Sequence, residues 1–168
     1  MHESSLDRCR DFIQQYLQRR DRLRIADVGS YDVNGTYRPL FDRPGWEYVG
    51  LDIVAGANVD VVLPEGDDAT WPHANEFDVV VSGQCVEHVR KPWKWIKQVA
   101  TLAKVGGLIW ITGPNTWVFH EHPIDCWRIW PDGMRALFDE AGLQEIACGY
   151  CGTETVGIAF KPSTWDGS

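Results

Sequence analysis

The segment Arg24-Ile-Ala-Asp-Val-Gly-Ser-Tyr-Asp-Val-Asn-Gly35, followed by Tyr48-Val-Gly-Leu-Asp52, constrains this chain more than any other feature. An apolar run breaks at a glycine turn, and a second apolar run ends in one acid. That order opens the nucleotide-binding half of an α/β sheet. The glycine lets backbone approach a ligand, and the carboxylate accepts hydrogen bonds from a ribose diol.

The rest of the chain keeps the alternation. Residues 4–20 read as an amphipathic helix, with Leu6, Cys9, Ile13, Tyr16 and Leu17 at helical spacing and Ser4 with Asp7 resembling a capping box. Strands are expected at 24–28, 46–52 and 59–63, with a short helix at 36–41 stopped by Pro44-Gly45. Residues 53–58 are too few for a full crossover helix, so that connection is cut down. The unbroken β-branched run at 77–82 is expected of a central strand buried on both faces. Pro92 suits the first turn of a helix running to about Lys104, ended by Gly106-Gly107, and 108–112 is the next strand. Residues 113–130 have no clear period. Pro131 opens a helix carrying Met134, Leu137, Phe138 and Ala141, closed by Gly142. A strand pair at 143–151 and 155–160 closes the chain, and the tail 161–168 is expected to be loose. The pattern implies one α/β domain over 1–168, with an N-terminal helix within 1–22 and a mostly parallel sheet covered by helices on both faces.

A length of 168 residues can bury the core of one domain. A net charge of −8 argues against nucleic acid, the only basic cluster, Arg19-Arg20-Asp21-Arg22-Leu23-Arg24, being broken by an acid, and the start is charged and polar, so neither a nucleic acid partner nor a signal peptide is expected. No apolar run approaches membrane-spanning length. Five cysteines, an odd number without framework spacing, fit a reduced cytoplasm. Cys148-Gly-Tyr-Cys151 has redox spacing, but it lies in an expected strand and does not open a helix, so free thiols are expected. Nine tryptophans are unusual; those late in the chain (Trp110, Trp117, Trp127, Trp130) read as core filling first and as a flat apolar surface second.

The dinucleotide fingerprint needs glycines at fixed offsets, and Tyr31 stands where the second should be. A pyrophosphate needs that close approach, so NAD is poorly supported. Asp27-Val-Gly-Ser30, Gly50-Leu-Asp52, Phe77-Asp-Val-Val-Val-Ser82 with Val86-Glu-His-Val89, and Leu102-Ala-Lys-Val-Gly-Gly107 resemble, in order, the motifs of class I S-adenosylmethionine-dependent methyltransferases. Within that superfamily, the Gly29-Ser-Tyr-Asp-Val-Asn-Gly35 turn and His120-Glu-His-Pro-Ile-Asp-Cys-Trp-Arg128 resemble a small bacterial subgroup often associated with glycan or secondary-metabolite pathways.

The resemblance implies a three-layer Rossmann-like sandwich with an antiparallel C-terminal strand, and S-adenosylmethionine as cofactor. It implies that Gly29 hugs the methionyl part, with Asp27 and Ser30 nearby, and that Asp52 takes the ribose hydroxyls with Ile53 against the adenine. It implies an acid, Asp67 or Asp68, at the adenine amino group, and Ser82 and Gly83 lining the methionine side. Glu87-His88 often supports the sheet edge in such enzymes. The chain departs from the pattern in its single early glycine, in Lys104-Val where Lys-Pro is customary, and in Trp130 where a threonine cap is usual.

Methyl transfer needs a positioned nucleophile and, for a hydroxyl, a base. Ligands bind beyond the carboxyl ends of parallel strands, so the 113–130 segment is where that group belongs. His120 is the first candidate base, Asp125 orients it or binds substrate, and Arg128 binds a carboxylate or pairs with Asp125. His120, His122 and Asp125 also read as metal ligands, but the local spacing lacks a further carboxylate, so no metal is expected. With no added domain or long insertion, the expected acceptor is a small molecule or glycan hydroxyl, and a homodimer is compatible with the sequence. The rival reading is a non-catalytic cofactor binder or partner-dependent subunit.

Overall fold

The computed structural model describes residues 3–167. Helix α1 (Glu3–Phe12) widens into a last turn at Ile13–Leu17 and leads into β1 (Leu23–Val28). A short 3-10 turn, Arg38–Leu40, precedes β2 (Trp46–Asp52) and β3 (Val61–Val62). Strand β4 (Phe77–Gly83) is followed by a 3-10 turn at Val86–His88, then α2 (Pro92–Leu102), β5 (Ala103–Pro114), α3 (Pro131–Glu140), β6 (Gln144–Cys151) and β7 (Glu154–Phe160).

The strands form one sheet in the order β3-β2-β1-β4-β5-β7-β6. All pairings from β3 to β5 are parallel, and β7 runs antiparallel to both β5 and β6. The expected mostly parallel sheet with an antiparallel C-terminal strand is what forms. Side-chain alternation explains why the central strands read as unbroken apolar runs. Val80, Ile109 and Ile111 face α2 and α3 through Ile96, Val99, Met134 and Phe138. Val79, Val81 and Trp110 face the other layer, where α1 supplies Cys9 and Phe12 and the loops supply Tyr37 and Phe41. Both faces are covered, so polar side chains on these strands are held by partners, as Ser82 is on the Val28 carbonyl. No helix among the described residues is long and apolar enough to cross a membrane.

Four local expectations differ from what forms. Strand β3 is two residues long, because the Asp60 carboxylate takes the Gly50 amide at 2.7 Å. Helix α2 stops at Leu102, and β5 begins at Ala103, which pairs with Phe77. Gly106-Gly107 therefore lies inside β5, where the register shifts and Gly106 takes φ +78°. The tail is pinned: the Lys161 ammonium is buried on Asn75 Oδ1 (2.7 Å) and the Ala103 carbonyl (3.0 Å), and the Trp165 indole donates to the Ala141 carbonyl at 2.8 Å. The late tryptophans divide, Trp110 being fully buried while Trp117 and Trp130 are exposed.

Candidate functional site

The carboxyl ends of β1, β2 and β4 meet where the order of connections reverses, the usual place for a ligand in an open α/β sheet. Gly29 turns there with φ +80°, and a Cβ on it would lie 2.5 Å from Cys85 Sγ, so the turn tolerates only glycine. The Gly29 and Ser30 amides bond the Leu51 carbonyl at 2.9 and 3.2 Å, drawing the turn against β2. At the end of β2, Asp52 accepts the Tyr31 amide through one oxygen and the Val54 amide through the other, both at 3.0 Å. Each oxygen keeps a lone pair for a further donor. Ile53, next in the chain, is about half exposed.

Asp27 is sealed on β1, where the Tyr48 hydroxyl donates to it. Asn58 donates to the Ser30 carbonyl (2.8 Å) and to Tyr48 (3.2 Å), and Arg38 ties Asn58 to Asp60. Burial outweighs the Tyr48 hydrogen bond and pushes the Asp27 carboxyl up to about 7. An unfolded aspartate releases its proton near pH ~4, so the native state binds this proton more tightly. The Asp27 contribution is therefore full below about pH 4 and is lost as pH rises toward 7, at up to about 1.4 kcal/mol per pH unit. Thermal unfolding of Asp27→Asn across pH 4–8 is expected to show a flatter profile than the parent. Parallel profiles would assign the proton elsewhere.

The remaining cofactor-side residues are placed as follows. Ser82 spends its hydroxyl on the Val28 carbonyl (2.7 Å), tying β4 to β1. Gly83 leaves room for Tyr37, whose hydroxyl would lie 1.9 Å from an added Cβ. Asp67 and Asp68 are both ion-paired to lysines at the start of α2, Asp67 with Lys91 just before the helix and Asp68 with Lys94 in its first turn at 2.7 Å.

The 115–130 segment has no helix or strand, yet it is bound at every turn. The Cys126 and Trp127 amides bond the Glu87 carbonyl at 2.7 and 3.3 Å, and the Ile129 amide bonds that of Pro114 at 2.9 Å. Arg128 uses all five donors inside the loop: Nε on the Trp117 carbonyl, Nη1 on Asp125 Oδ1 and the Trp127 carbonyl, and Nη2 on Asp125 Oδ2 and the Val118 carbonyl. The Asp125 side chain is 1% exposed, and Arg128 beside it holds its carboxyl well below the usual range. Asp125 also accepts the His120 amide at 2.7 Å. Asp125 and Arg128 thus position His120, with no guanidinium donor left over for a substrate.

His120 comes to rest against the 3-10 turn that follows β4. Its Nε2 lies 4.0 Å from Glu87 Oε1, and His88 Nε2 lies 3.7 Å from the same oxygen. Glu87 is fully buried, and neither carboxyl oxygen has a hydrogen-bond partner among the described residues. Burial pushes its carboxyl up to about 8. Desolvation lowers the His88 pKa, so that ring stays neutral. Glu87, His88 and His120 offer donor atoms within 4.8 Å of one another. Local spacing offered His120, His122 and Asp125 as a ligand set instead; Asp125 is taken by Arg128, and the fold supplies Glu87 from a different strand end. The sequence signal for Glu87 is an acid four residues past the end of a central strand, between apolar Val86 and His88.

A family described as a methyltransferase domain matches residues 1–148. The ubiquinone biosynthesis O-methyltransferase of Ruegeria sp. (strain TM1040) is 28% identical over 173 residues, an alignment covering 85% of this chain and 66% of that protein. Among solved structures, the Burkholderia thailandensis 1,6-didemethyltoxoflavin-N1-methyltransferase, with bound 1,6-didemethyltoxoflavin and S-adenosylhomocysteine, superposes with a TM-score of 0.74 at 14% identity, covering 96% of this chain and 80% of that one. The CurJ carbon methyltransferase gives 0.70 at 14% identity, covering 94% of this chain and 54% of that one. The chain therefore spans between about half and two thirds of the length of two of these three relatives.

Proposed function

The chain belongs to this methyltransferase-domain family, and from that premise we propose that it methylates a hydroxyl of a small molecule or glycan with S-adenosylmethionine as donor. The residues present fit that cofactor. Gly29 makes the tight turn at the end of β1 with φ +80°, packed against Cys85, and Asp52 retains a lone pair on each oxygen for a diol. Asp52 would hold the ribose, Ile53 would lie against the adenine, and Gly29 with Ser30 and Gly83 would border the methionine side. When bound, the cofactor supplies an electrophilic methyl group on a sulfonium.

What remains for the protein is to hold the acceptor oxygen in line and to remove its proton. The observation that carries the reading is the meeting of Glu87, His88 and His120 beside the Gly29 turn. His120 is the candidate base, since its Nδ1 faces the Val118 carbonyl (3.1 Å) and Asp125 (3.4 Å), which leaves Nε2 as the proton acceptor. Trp117, Phe119 and Trp130 are exposed on the same loop or at its end and suit stacking on a sugar or aromatic ring. The O-methyltransferase relative supports an oxygen acceptor.

Calorimetry with S-adenosylmethionine and S-adenosylhomocysteine, with NAD as control, tests the cofactor, and a labelled-methyl screen of sugars and phenols tests the acceptor. Asp52→Ala is expected to weaken cofactor binding by about 1–3 kcal/mol, the scale of a hydrogen bond to a charged group. Unchanged affinity would sink the ribose assignment. No cofactor binding by the parent would favour the non-catalytic scaffold.

A further inference from the structure

The two histidines of this cluster have their tautomers assigned by their partners. His88 Nδ1 lies 2.5 Å from the Ile124 carbonyl oxygen, which can only accept, so Nδ1 carries the proton. His120 Nδ1 faces two further acceptors, the Val118 carbonyl and the Asp125 carboxylate. In each neutral ring the lone pair is then on Nε2, and both Nε2 atoms face Glu87 Oε1. Two imidazole nitrogens and a buried carboxyl converge, and among the described residues nothing outside the group bonds either carboxyl oxygen. A cation bound in place of the carboxyl proton gives this buried polar group the partner it lacks.

We propose that Glu87, His88 and His120 form a binding site for one divalent first-row transition ion. Donors held about 2.0–2.2 Å from one ion stand roughly 3–4 Å from each other. The Glu87 Oε1 separations of 3.7 and 4.0 Å close to that range with about half an ångström of movement, and all three donor atoms already lie within 4.8 Å of one another. Two imidazoles and one carboxylate favour zinc, cobalt, iron or manganese over magnesium or calcium, which take all-oxygen sets. The outer partners are those a metal site requires. The Ile124 carbonyl orients His88, while the Val118 carbonyl and the Arg128-bound Asp125 orient His120. Glu87 is the second, independent sign, being a fully buried side chain aimed into the cluster with both oxygens unpartnered among the described residues. His122, with its ring 6.1 Å from that of His88 and 6.3 Å from that of His120, stands at the exposed edge.

Three protein ligands leave coordination positions open. The proposal rests on the reading of this cluster as the hydroxyl-activating site and supplies its agent. A hydroxyl taking an open position loses its proton to solvent more readily, as metal-bound water does, and His120 then serves as a ligand rather than as the base. The O–H bond is the one broken at this stage, and no redox change is involved.

The test is titration of chelator-treated full chain with CoCl2, followed by visible absorption, with ZnCl2 as competitor and MgCl2 as control. One cobalt per chain is expected, with ligand-field bands that zinc abolishes and magnesium does not. Affinity is expected to fall by more than about 100-fold in Glu87→Gln and in His120→Ala, beyond the cost of losing an outer partner of a ligand, each variant confirmed as folded by circular dichroism. S-adenosylmethionine affinity, measured on the same samples, is expected to be unchanged. Absence of bands at millimolar cobalt, or bands that persist in both variants, would overturn the proposal. The methyltransferase reading fails separately, through loss of cofactor binding in the parent protein.

Discussion

Arg128→Met is expected to destabilise the chain by about 3 kcal/mol, the lower end of the cost of stripping one partner from a buried ion pair, and to reduce turnover about 100-fold, the scale of a misplaced catalytic group. The arginine spends every donor on the loop that carries His120, three of them on the Trp117, Val118 and Trp127 carbonyls. Methionine keeps the aliphatic stem and removes all five bonds. The Asp125 carboxylate, 1% exposed, is then left with the His120 amide and the His120 Nδ1 at 3.4 Å, and with no guanidinium. The lower figure applies because the Arg128 side chain is 25% exposed and water partly replaces it. Adding Asp125→Asn removes the stranded charge, so the double variant is expected to recover part of the stability. It is not expected to recover turnover, because the loop remains unpinned. Denaturant midpoints of the four proteins close the cycle. A single variant within about 0.5 kcal/mol of the parent, the range of an ordinary surface change, would show that the loop holds without its staple.

The sheet was legible because its signals are local. Val79, Val80 and Val81 supply apolar side chains to both faces since β4 is covered on both, and Gly29 announces a turn that no side chain would fit. Proline at 92 and 131 opens α2 and α3. What the sequence hides is long-range. Asp125 and Arg128 stand at helix-like spacing and invite a pairing, but the three carbonyls that consume the rest of the guanidinium are backbone and leave no mark in the sequence. Lys161 reads as a solvated tail residue until Asn75 and the Ala103 carbonyl, distant in the chain, close over it. Glu87 is the sharpest case. The dipeptide Glu87-His88 looks like a strand-end cap, and only the return of the 115–130 loop brings His120 against it. The same loop seals the carboxyl from water through the Cys126 and Trp127 amides on the Glu87 carbonyl. Burial of that carboxyl is a property of the loop's path, which no local period encodes.

Glu87→Leu is expected to raise stability and remove activity together. The parent buries a carboxyl with no hydrogen-bond partner on either oxygen among the described residues, against a core that includes Val86 and Ile111. An unsatisfied buried polar group costs roughly 1–3 kcal/mol, and an apolar residue of similar size restores about that amount. Turnover is expected to fall about 10²–10⁴-fold, whether the carboxyl acts with His120 on a proton or through a bound cation. A carboxyl retained only to support the sheet edge predicts the reverse, with stability lost and turnover changed little. The two quantities therefore separate the readings without knowledge of the acceptor's full structure. Thermal unfolding in the absence of added metal gives the first, and single-turnover methyl transfer to whichever phenol or sugar the screen yields gives the second. A gain in melting temperature with loss of turnover marks Glu87 as a residue the fold carries at its own expense for the chemistry at the mouth of β4. A loss of both would instead identify an unseen partner for the carboxyl, and the site would have to be rebuilt around His120 alone.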